Sequence, residues 1–278
     1  SKGQLGYELQ RSLPEAYRLI AIDYEQLDIT NNQQVTAFFD ENSVDIVINA
    51  AAYTAVDKAE EEKELAWAVN KQGAENLARA AKKHNARLVQ ISTDFVFSDK
   101  QAWPYLPEDA VAPVSVYGMS KHAGDEAVLK TLQDKVLVVR TAWLYSSHGH
   151  NFVKTMLKLM QERDALSIVA DQVGTPTWAA TLADCIWKLL DGNASGLYHC
   201  ADNGVASWYD FAVAIQEEGL QCGLLTKAIA LKPIRTEDYP TPATRPTYSV
   251  MDKTQTEAKL NLTLPHWRVS LRNMLTEL

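Results

Sequence analysis

Short apolar runs alternate with longer segments of helical periodicity along the first half of the chain. The apolar runs have the length of buried strands and span residues 18–22, 44–49, 87–91 and 136–140. Between them apolar residues recur every three or four positions, which predicts helices at 7–13, 30–39, 63–84 and 117–132. Strands that alternate with helices pair in parallel through right-handed crossovers. The pattern therefore predicts an α/β fold with a doubly wound parallel sheet.

The pattern changes after Arg140. A polar, glycine-bearing loop at 146–150 follows, then shorter elements and most of the prolines, with helices predicted at 151–162 and 181–190. Such composition is typical of a smaller, loop-rich lobe that covers a site. We therefore expect a first domain at 1–141 and a C-terminal lobe at 142–278, with segments such as helix 181–190 returning to the first domain.

Composition narrows the class of protein. The chain has 278 residues with 46% hydrophobic and 22% charged residues, which is ordinary for a soluble globular protein. Its net charge of −8 argues against a general nucleic-acid or anionic-membrane surface. No apolar run approaches transmembrane length. The three cysteines, Cys185, Cys200 and Cys222, lack metal-like spacing, so we expect reduced thiols and a cytoplasmic location.

Two glycines lie directly before the first predicted helix. Gly3, Gln4, Leu5 and Gly6 resemble the back half of a G-x-x-G-x-x-G loop, whose backbone approaches a pyrophosphate at a helix N-terminus. A strand and a first glycine would precede such a loop, so we expect the numbering to begin inside the motif. A protein that began at Ser1 should fold and bind cofactor poorly. A glycine-bearing helix start without a ligand is the alternative.

An acidic residue ends the predicted strand at 18–22. Asp23 follows the glycines by about 20 residues, where a carboxylate accepts hydrogen bonds from an adenosine ribose and favours the unphosphorylated cofactor. Asp28 and Ile29 come directly before a capping-box pattern that starts at Thr30. We predict that Asp28 and Ile29 lie beside the adenine of the cofactor. An equally weighted alternative is that Asp28 is only a charged residue at the start of a helix.

Three alanines and a tyrosine follow the apolar run at 44–49. In a doubly wound sheet, ligands bind at the carboxyl ends of the strands. Ala50, Ala51, Ala52 and Tyr53 would let a dinucleotide pass close to the backbone there. A tight turn between strand and helix explains the alanines equally well.

Tyr117 and Lys121 stand four residues apart at the start of a predicted helix, so they share one face. At roughly 5 Å and an effective dielectric near 20, Coulomb's law gives roughly 3 kcal/mol in favour of the phenolate. That lowers the tyrosine pKa by around 2 units, towards acid/base use near neutrality. Thr93 ends the run at 87–91, where its hydroxyl can meet a substrate oxygen. A chance pair on a solvated helix face is the competing interpretation.

These separated features together resemble the extended short-chain dehydrogenase/reductases. Within that superfamily the chain is most similar to the branch that acts on dTDP-linked 4-keto sugars. The resemblance is carried by Gly3–Gly6, Val47–Asp57, Val69–Gly73, Ser92–Phe97, Tyr117–Lys121, Arg140–Trp143, Asp171–Pro176 and Arg245–Ser249.

The resemblance implies a Rossmann domain, a sugar-nucleotide lobe and a nucleotide-sugar substrate. The implied reaction is reduction of the 4-keto group of dTDP-4-dehydro-β-L-rhamnose by NADPH or NADH. Tyr117 would supply the proton, Lys121 would tune it and hold the nicotinamide ribose, and Thr93 would hydrogen-bond the developing alkoxide.

The same resemblance implies a set of substrate contacts. Asp94 would lie near the sugar hydroxyls with Phe95 beside it, and Trp143 would pack against the hexose. Arg245 would bind the phosphates of the nucleotide, with a structural salt bridge as its alternative.

Some relatives form dimers bridged by Mg²⁺ through glutamates. Here the segment Ala179-Ala180-Thr181 offers no carboxylate, which argues against that metal bridge, and we predict no metal site. A monomer or a homodimer is expected. The alternative functions are another nucleotide-sugar ketoreductase or epimerase, or a non-catalytic dinucleotide-binding regulatory subunit.

Overall fold

The computed structural model describes residues 1–98 and 101–278. In chain order, the strands are β1 (Ile46–Asn49), β2 (Arg87–Thr93), β3 (Val136–Thr141), β4 (Leu144–Tyr145), β5 (Ala165–Val169), β6 (Val173–Gly174), β7 (Thr177–Trp178), β8 (Gly196–His199), β9 (Ala206–Ser207) and β10 (Ala230–Ile234). The helices are α1 (Gln4–Arg11), α2 (Asn32–Glu41), α3 (Val56–Ala59), α4 (Lys63–Trp67), α5 (Ala74–Lys83), α6 (Val116–Leu132), α7 (Phe152–Glu162), α8 (Ala179–Asp191), α9 (Trp208–Gln221), α10 (Thr254–Leu260) and α11 (Trp267–Leu275). Among these residues, no helix is both long and apolar enough to cross a membrane.

A parallel sheet with the order β1-β2-β3-β8 forms the centre of the fold. All six residues of β3 are buried, and they point alternately to the two faces of the sheet. Leu137 and Val139 pack with α1 and α8, whereas Val136 and Val138 pack with α2, α5 and α6. Helices therefore cover both faces, and the predicted doubly wound α/β fold is confirmed.

The second half of the chain contributes to both parts of the molecule. β8 pairs with β3, and α8 packs against α1 in the same apolar cluster. A separate cluster joins α7, α9 and α11 over the parallel pair of β5 and β10. This second cluster is the core of the C-terminal lobe.

The predicted buried strand at 18–22 is wrong. These residues belong to no strand, and Leu19 and Ile20 expose 38% and 46% of their surface. An apolar groove of about 750 Å³ runs along this segment and is also lined by Ile46, Val47 and Ile48 of β1, the edge strand. A β-ladder needs a neighbouring backbone to satisfy its N–H and C=O groups. Apolar composition alone therefore did not suffice to form the strand.

The long helix predicted at 63–84 is divided by a π-helical segment, Ala68–Gly73, between α4 and α5. Asn70 lies in this segment, and its side chain bonds the backbone N–H and C=O of Tyr53. It also donates to the Ser120 hydroxyl on α6 at 3.0 Å. Such widened turns are frequent where a helix serves a site. Here the turn fastens the segment after β1 to α6.

Two helix starts also differ from prediction. α1 begins at Gln4, so Gly6 lies inside its first turn instead of before the helix. The N-cap of α2 is Asn31 and not Thr30, since the Asn31 side chain accepts hydrogen bonds from the N–H groups of Gln33 and Gln34.

Candidate active site

The carboxyl end of β2 places Thr93 next to the end of β3. Thr93 stands in register with Thr141, and its side chain is 5% exposed. Its Oγ1 accepts a hydrogen bond from the N–H of Phe95 at 3.1 Å and donates to Asp94 Oδ1 at 3.1 Å. These bonds shape the short turn after β2. Thr93 is thereby fixed at the edge of the sheet where parallel folds bind ligands.

The first turn of α6 is locked against this turn. Ser115 is the N-cap of α6, and its Oγ accepts from the N–H of Gly118 at 3.2 Å. A Cβ at Gly118 would lie 2.3 Å from the carbonyl oxygen of Phe95, so only glycine permits the approach. The aromatic ring of Phe95 also meets the ring of Tyr117 edge to face at 5.5 Å. Tyr117 is therefore held beside the Thr93 turn by local packing.

The phenol of Tyr117 is kept protonated. Burial raises the pKa of Tyr117 to about 12, the carboxylates of Asp94 and Asp125 add to the rise, and a hydrogen bond with the Thr93 side chain opposes it. The prediction that Lys121 lowers this pKa towards neutrality is therefore wrong for the protein itself. The Coulomb argument omitted the cost of burying a phenolate and the repulsion from the carboxylates of Asp94 and Asp125.

Lys121 lies one turn after Tyr117 and is 3% exposed. Its Nζ donates to the carbonyl oxygen of Ile91 on β2 at 2.6 Å. Burial lowers the pKa of Lys121, whereas the carboxylate of Asp125, four residues further along α6, raises it. Asp125 is 1% exposed and accepts a hydrogen bond from Ser92. A buried carboxylate therefore supports the buried ammonium.

Asp94 connects the turn after β2 to the C-terminal half of the chain. It is 2% exposed, and its Oδ2 accepts a hydrogen bond from the Ser249 hydroxyl at 2.6 Å. Burial raises the pKa of Asp94 to about 6, although bonds with Ser249 and Thr93 oppose the rise. Ser249 belongs to residues 245–252, a segment that we call the strap. The backbone of the strap forms hydrogen bonds with the backbone of Val173 and Tyr105. The strap thus closes one side of the site.

Arg245, at the start of the strap, forms an ion pair with Asp57. Its guanidinium meets both oxygens of Asp57 on α3, at 2.9 Å from Oδ1 and 2.7 Å from Oδ2. Arg245 holds the pKa of Asp57 below its ordinary value, against the effect of burial. The structural salt bridge is therefore present, and the phosphate contact predicted for Arg245 stays a prediction.

The N-terminus of α1 carries no side-chain cap. Its N-cap is Gly3, around which a Cβ would meet nothing within 4 Å, so the first N–H groups of the helix are approachable. The side chain of Gln4 lies at the end of the sheet, within 3.5 Å of the Leu144 carbonyl oxygen and 3.0 Å from Asn151 Nδ2. Leu5 is buried in the core. The loop therefore offers backbone N–H groups more than side chains.

Asp23 is adjacent to the glycine loop, although residues 18–22 before it form no strand. Its Oδ2 accepts from the N–H of Lys2 at 2.7 Å. Asp28 behaves as the helix-entry charge of the alternative interpretation, since its Oδ1 accepts from both the N–H and the hydroxyl of Thr30. Ile29 packs close to Gly73, within 2.6 Å of where a Cβ would stand. A contact of Asp28 or Ile29 with adenine stays a prediction.

The alanines after β1 line an open surface. Ala50 and Ala51 are exposed, and Ala52 and Tyr53 are partly buried. The N–H of Ala51 bonds Asn49 Oδ1 at 3.2 Å, and the hydroxyl of Tyr53 donates to Glu62 at 2.6 Å. The segment is therefore accessible at this edge, and its contact with a dinucleotide stays a prediction.

Trp143 follows β3 by two residues and is partly buried. Its backbone has φ 45°, in the left-handed region, which is uncommon for a bulky side chain. Its indole is stacked on that of Trp208 with ring centroids 3.6 Å apart. Trp208 thus already covers one face of the ring. The predicted contact with a hexose would have to use the rest of the ring.

Several residues around the site were missed by sequence reasoning. Asp125 could have been found from its i+4 spacing to Lys121 on the predicted helix. The other missed residues depend on contacts between distant segments and leave no local signal, namely Ser92, Ser249, Asp57 and Trp208. Within residues 1–98 and 101–278, no group of three or more His, Cys, Asp or Glu side chains is arranged to hold a metal ion.

Known proteins resemble the chain in both sequence and structure. A family model described as "RmlD substrate binding domain" matches residues 1–278. The dTDP-4-dehydrorhamnose reductase of Escherichia coli (strain K12) is 40% identical over 99% of this chain and 95% of the relative. A structure of dTDP-4-dehydrorhamnose reductase from Bacillus anthracis in complex with NADP is 39% identical, with a TM-score of 0.94 over 100% of this chain and 96% of that one. A Clostridium acetobutylicum orthologue is 42% identical, with a TM-score of 0.93 over 99% and 96%.

Proposed function

The chain belongs to the RmlD substrate binding domain family, and on that premise we propose that it reduces dTDP-4-dehydro-β-L-rhamnose to dTDP-L-rhamnose. NADPH or NADH is the proposed reductant. The observation that carries the proposal is the cluster of Thr93, Tyr117 and Lys121 at the carboxyl end of a parallel sheet. Its relatives include proteins named dTDP-4-dehydrorhamnose reductase, which are about 40% identical over nearly the full chain.

The residues present fit a dinucleotide. The uncapped N-terminus of α1 and the open space at Gly3 suit a pyrophosphate, which helix N-termini bind through their N–H groups. The exposed backbone at Ala50 and Ala51 lies on the path towards the reacting centre, and Asp23 lies beside the glycine loop as a ribose acceptor. When bound, the reduced nicotinamide supplies a hydride to carbon 4 of the sugar.

Tyr117 supplies the proton that balances this hydride. Reduction leaves negative charge on the oxygen at carbon 4, and an alkoxide is a far stronger base than a phenolate. A phenol with a pKa of about 12 is fully protonated at neutral pH and can still donate to such an oxygen. The raised pKa therefore suits the reductive direction, in which the acid must enter the reaction protonated.

Thr93 and Lys121 prepare the site for this transfer. The Thr93 hydroxyl is held next to Tyr117, and its single proton, now donated to Asp94 Oδ1, would turn from that carboxylate to the developing alkoxide. Lys121 would hold the ribose hydroxyls of the nicotinamide half through its ammonium. Burial lowers the pKa of that ammonium, and the carboxylate of Asp125 opposes the fall.

Substrate contacts are proposed for the other members of the predicted set. Asp94 and Phe95 directly follow Thr93 and would meet the hexose, together with the free part of the Trp143 indole. Arg245 would reach a phosphate only by sharing its guanidinium with Asp57. All these residues belong to one chain, which is compatible with a monomer or a homodimer. The three cysteines are free thiols, which favours a cytoplasmic location.

The proposal is tested by mixing the protein with dTDP-L-rhamnose and NADP⁺ or NAD⁺ and recording nicotinamide reduction at 340 nm. Turnover with dTDP-L-rhamnose, and none with dTDP-glucose or UDP-galactose, is the expected result. Turnover only with another nucleotide sugar would identify a ketoreductase or epimerase of different specificity. Cofactor binding without turnover of any of these sugars, in either direction, would contradict an enzymatic function.

The role of Tyr117 has its own test. Tyr117→Phe keeps the ring and its contact with Phe95 but removes the proton, so kcat should fall about 10²–10⁴-fold while the Kd for NADPH stays near wild type. Tyr239→Phe, which changes an exposed ring, is the matched control. An unchanged kcat in Tyr117→Phe would remove this residue as the acid.

A further inference from the structure

Trp143 is held in an unfavourable backbone conformation next to the reacting centre. The left-handed region is unfavourable for a non-glycine residue and persists only where the surroundings enforce it. Thr141, two residues earlier, is in register with Thr93. Trp143 therefore follows, by two residues, the strand end that stands in register with Thr93.

Two neighbours enforce this conformation. The indole of Trp208 lies parallel to that of Trp143, with an interplanar angle of 4° and ring centroids 3.6 Å apart. On β6, a Cβ at Gly174 would lie 2.6 Å from Cε2 of Trp143, so the ring fills the space that a side chain there would need. The Trp143 ring is thus confined between the start of α9 and β6.

Trp208 is itself firmly anchored. It is the first residue of α9, whose start is fixed by a reciprocal capping box between Ser207 and Asp210. Its Nε1 donates to Gln172 Oε1 at 3.2 Å, and its ring packs on Phe152 at 4.8 Å. These contacts belong to the C-terminal lobe, so the lobe sets the plane of the Trp143 ring.

We propose that Trp208 is a positioning residue for sugar-nucleotide binding, which acts by holding the Trp143 indole in the orientation that receives the hexose. This inference rests on the proposed function. Trp208 need not touch the substrate, because its stacked face is occupied by Trp143. Losing Trp208 should therefore affect the sugar nucleotide more than the dinucleotide, since the neighbours that hold the pair, Gln172, Phe152 and Gly174, are not among the predicted cofactor residues.

The test combines Trp208→Ala with Trp208→Phe, which retains a stacking ring. The KM for the sugar nucleotide should rise about 2- to 12-fold in Trp208→Ala, which corresponds to the energy of about 0.5–1.5 kcal/mol for an aromatic pair, and clearly less in Trp208→Phe. The Kd for NADPH should not change in either variant. Trp67→Phe, which alters a partly exposed indole on α4, is the control.

Circular dichroism monitors the stack independently of turnover. Two parallel indoles at this distance should give a coupled signal that is lost in Trp208→Ala and in Trp143→Ala, but retained in Trp67→Phe. Loss of the coupled signal with an unchanged KM for the sugar nucleotide would overturn the positioning role. A parallel rise in the Kd for NADPH would also overturn it, because that result indicates general damage to the fold. Absence of turnover in the wild type would instead refute the proposed function, and the coupled signal would still report the stack.

Discussion

Alanine at position 118 would test how strictly α6 is locked to the turn after β2. The added Cβ would stand 2.3 Å from the carbonyl oxygen of Phe95 and 3.0 Å from Cβ of Pro113. An ordinary contact needs about 3.4 Å, so the two segments must separate by about 1 Å. The carbonyl belongs to the turn that Thr93 caps, and the residue before position 118 is Tyr117. The strain must therefore displace Tyr117 relative to Thr93, the two side chains proposed to act on the carbonyl oxygen.

The expected magnitudes follow from this displacement. Overpacking a tight contact costs about 1–3 kcal/mol, and replacing glycine by alanine in a helix returns up to about 1 kcal/mol. Gly118→Ala should thus lower the free energy of unfolding by about 0–3 kcal/mol. A displacement of about 1 Å between reacting groups can cost about 10²-fold in rate. The loss of kcat should therefore be much larger than the loss of stability would suggest.

The assay measures kcat with saturating NADPH and sugar nucleotide, beside urea unfolding of the same preparation. Ala127→Gly lies on the same helix and changes helix propensity by a similar amount without approaching Phe95, so its kcat should remain near wild type. A Gly118→Ala protein with wild-type kcat would refute the locking of Tyr117 against the Thr93 turn, whatever its stability.

Two further predictions concern buried and partly buried charges. Asp125→Asn removes the carboxylate that raises the pKa of Lys121, so the ammonium should be lost at a lower pH and NADPH affinity should decline at a lower pH than in wild type. Glu126→Gln, on the exposed side of α6, should leave this pH profile unchanged, and an identical midpoint in Asp125→Asn would contradict the support of Lys121. The ion pair of Asp57 and Arg245 lowers the pKa of Asp57, so its contribution to stability is present above the unfolded pKa of about 3.9 and is lost as the pH falls through the folded value. Arg245→Ala should therefore unfold at lower urea concentration than wild type at pH 7, with a difference that shrinks below about pH 4; a constant difference across that range would exclude the ion pair as its cause.

The elements that the sequence predicted well are those whose signal is local. β2 and β3 are nearly continuous buried runs of strand length, and α6 buries residues three or four positions apart, so the sequence pattern was sufficient. The run at 18–22 has similar apolar content, but a strand also needs a neighbouring backbone, which spacing does not report. Residues 18–22 pair with no neighbouring strand, and they therefore form none.

The candidate site divides in the same way. Tyr117 and Lys121 were found because four residues of helix bring them to one face, and Thr93 because it ends a strand. Asp94 was found beside Thr93, yet its bond to Ser249 joins residues 155 positions apart. The left-handed backbone of Trp143 likewise depends on an indole from α9. The pKa of Tyr117 was misjudged because burial, a property of the folded chain, outweighs the charge that the sequence reveals.

The central claim is that this site delivers hydride and proton to the two ends of one carbonyl group. It is tested most directly by incubating the protein with dTDP-4-dehydro-β-L-rhamnose and NADPH that carries deuterium at position 4 of the nicotinamide, separately as each of the two stereoisomers. Mass spectrometry and proton NMR then locate the label in the sugar. We predict that one stereoisomer places deuterium at carbon 4 of dTDP-L-rhamnose and that the other does not. Oxidation of NADPH without deuterium at that carbon would contradict the account.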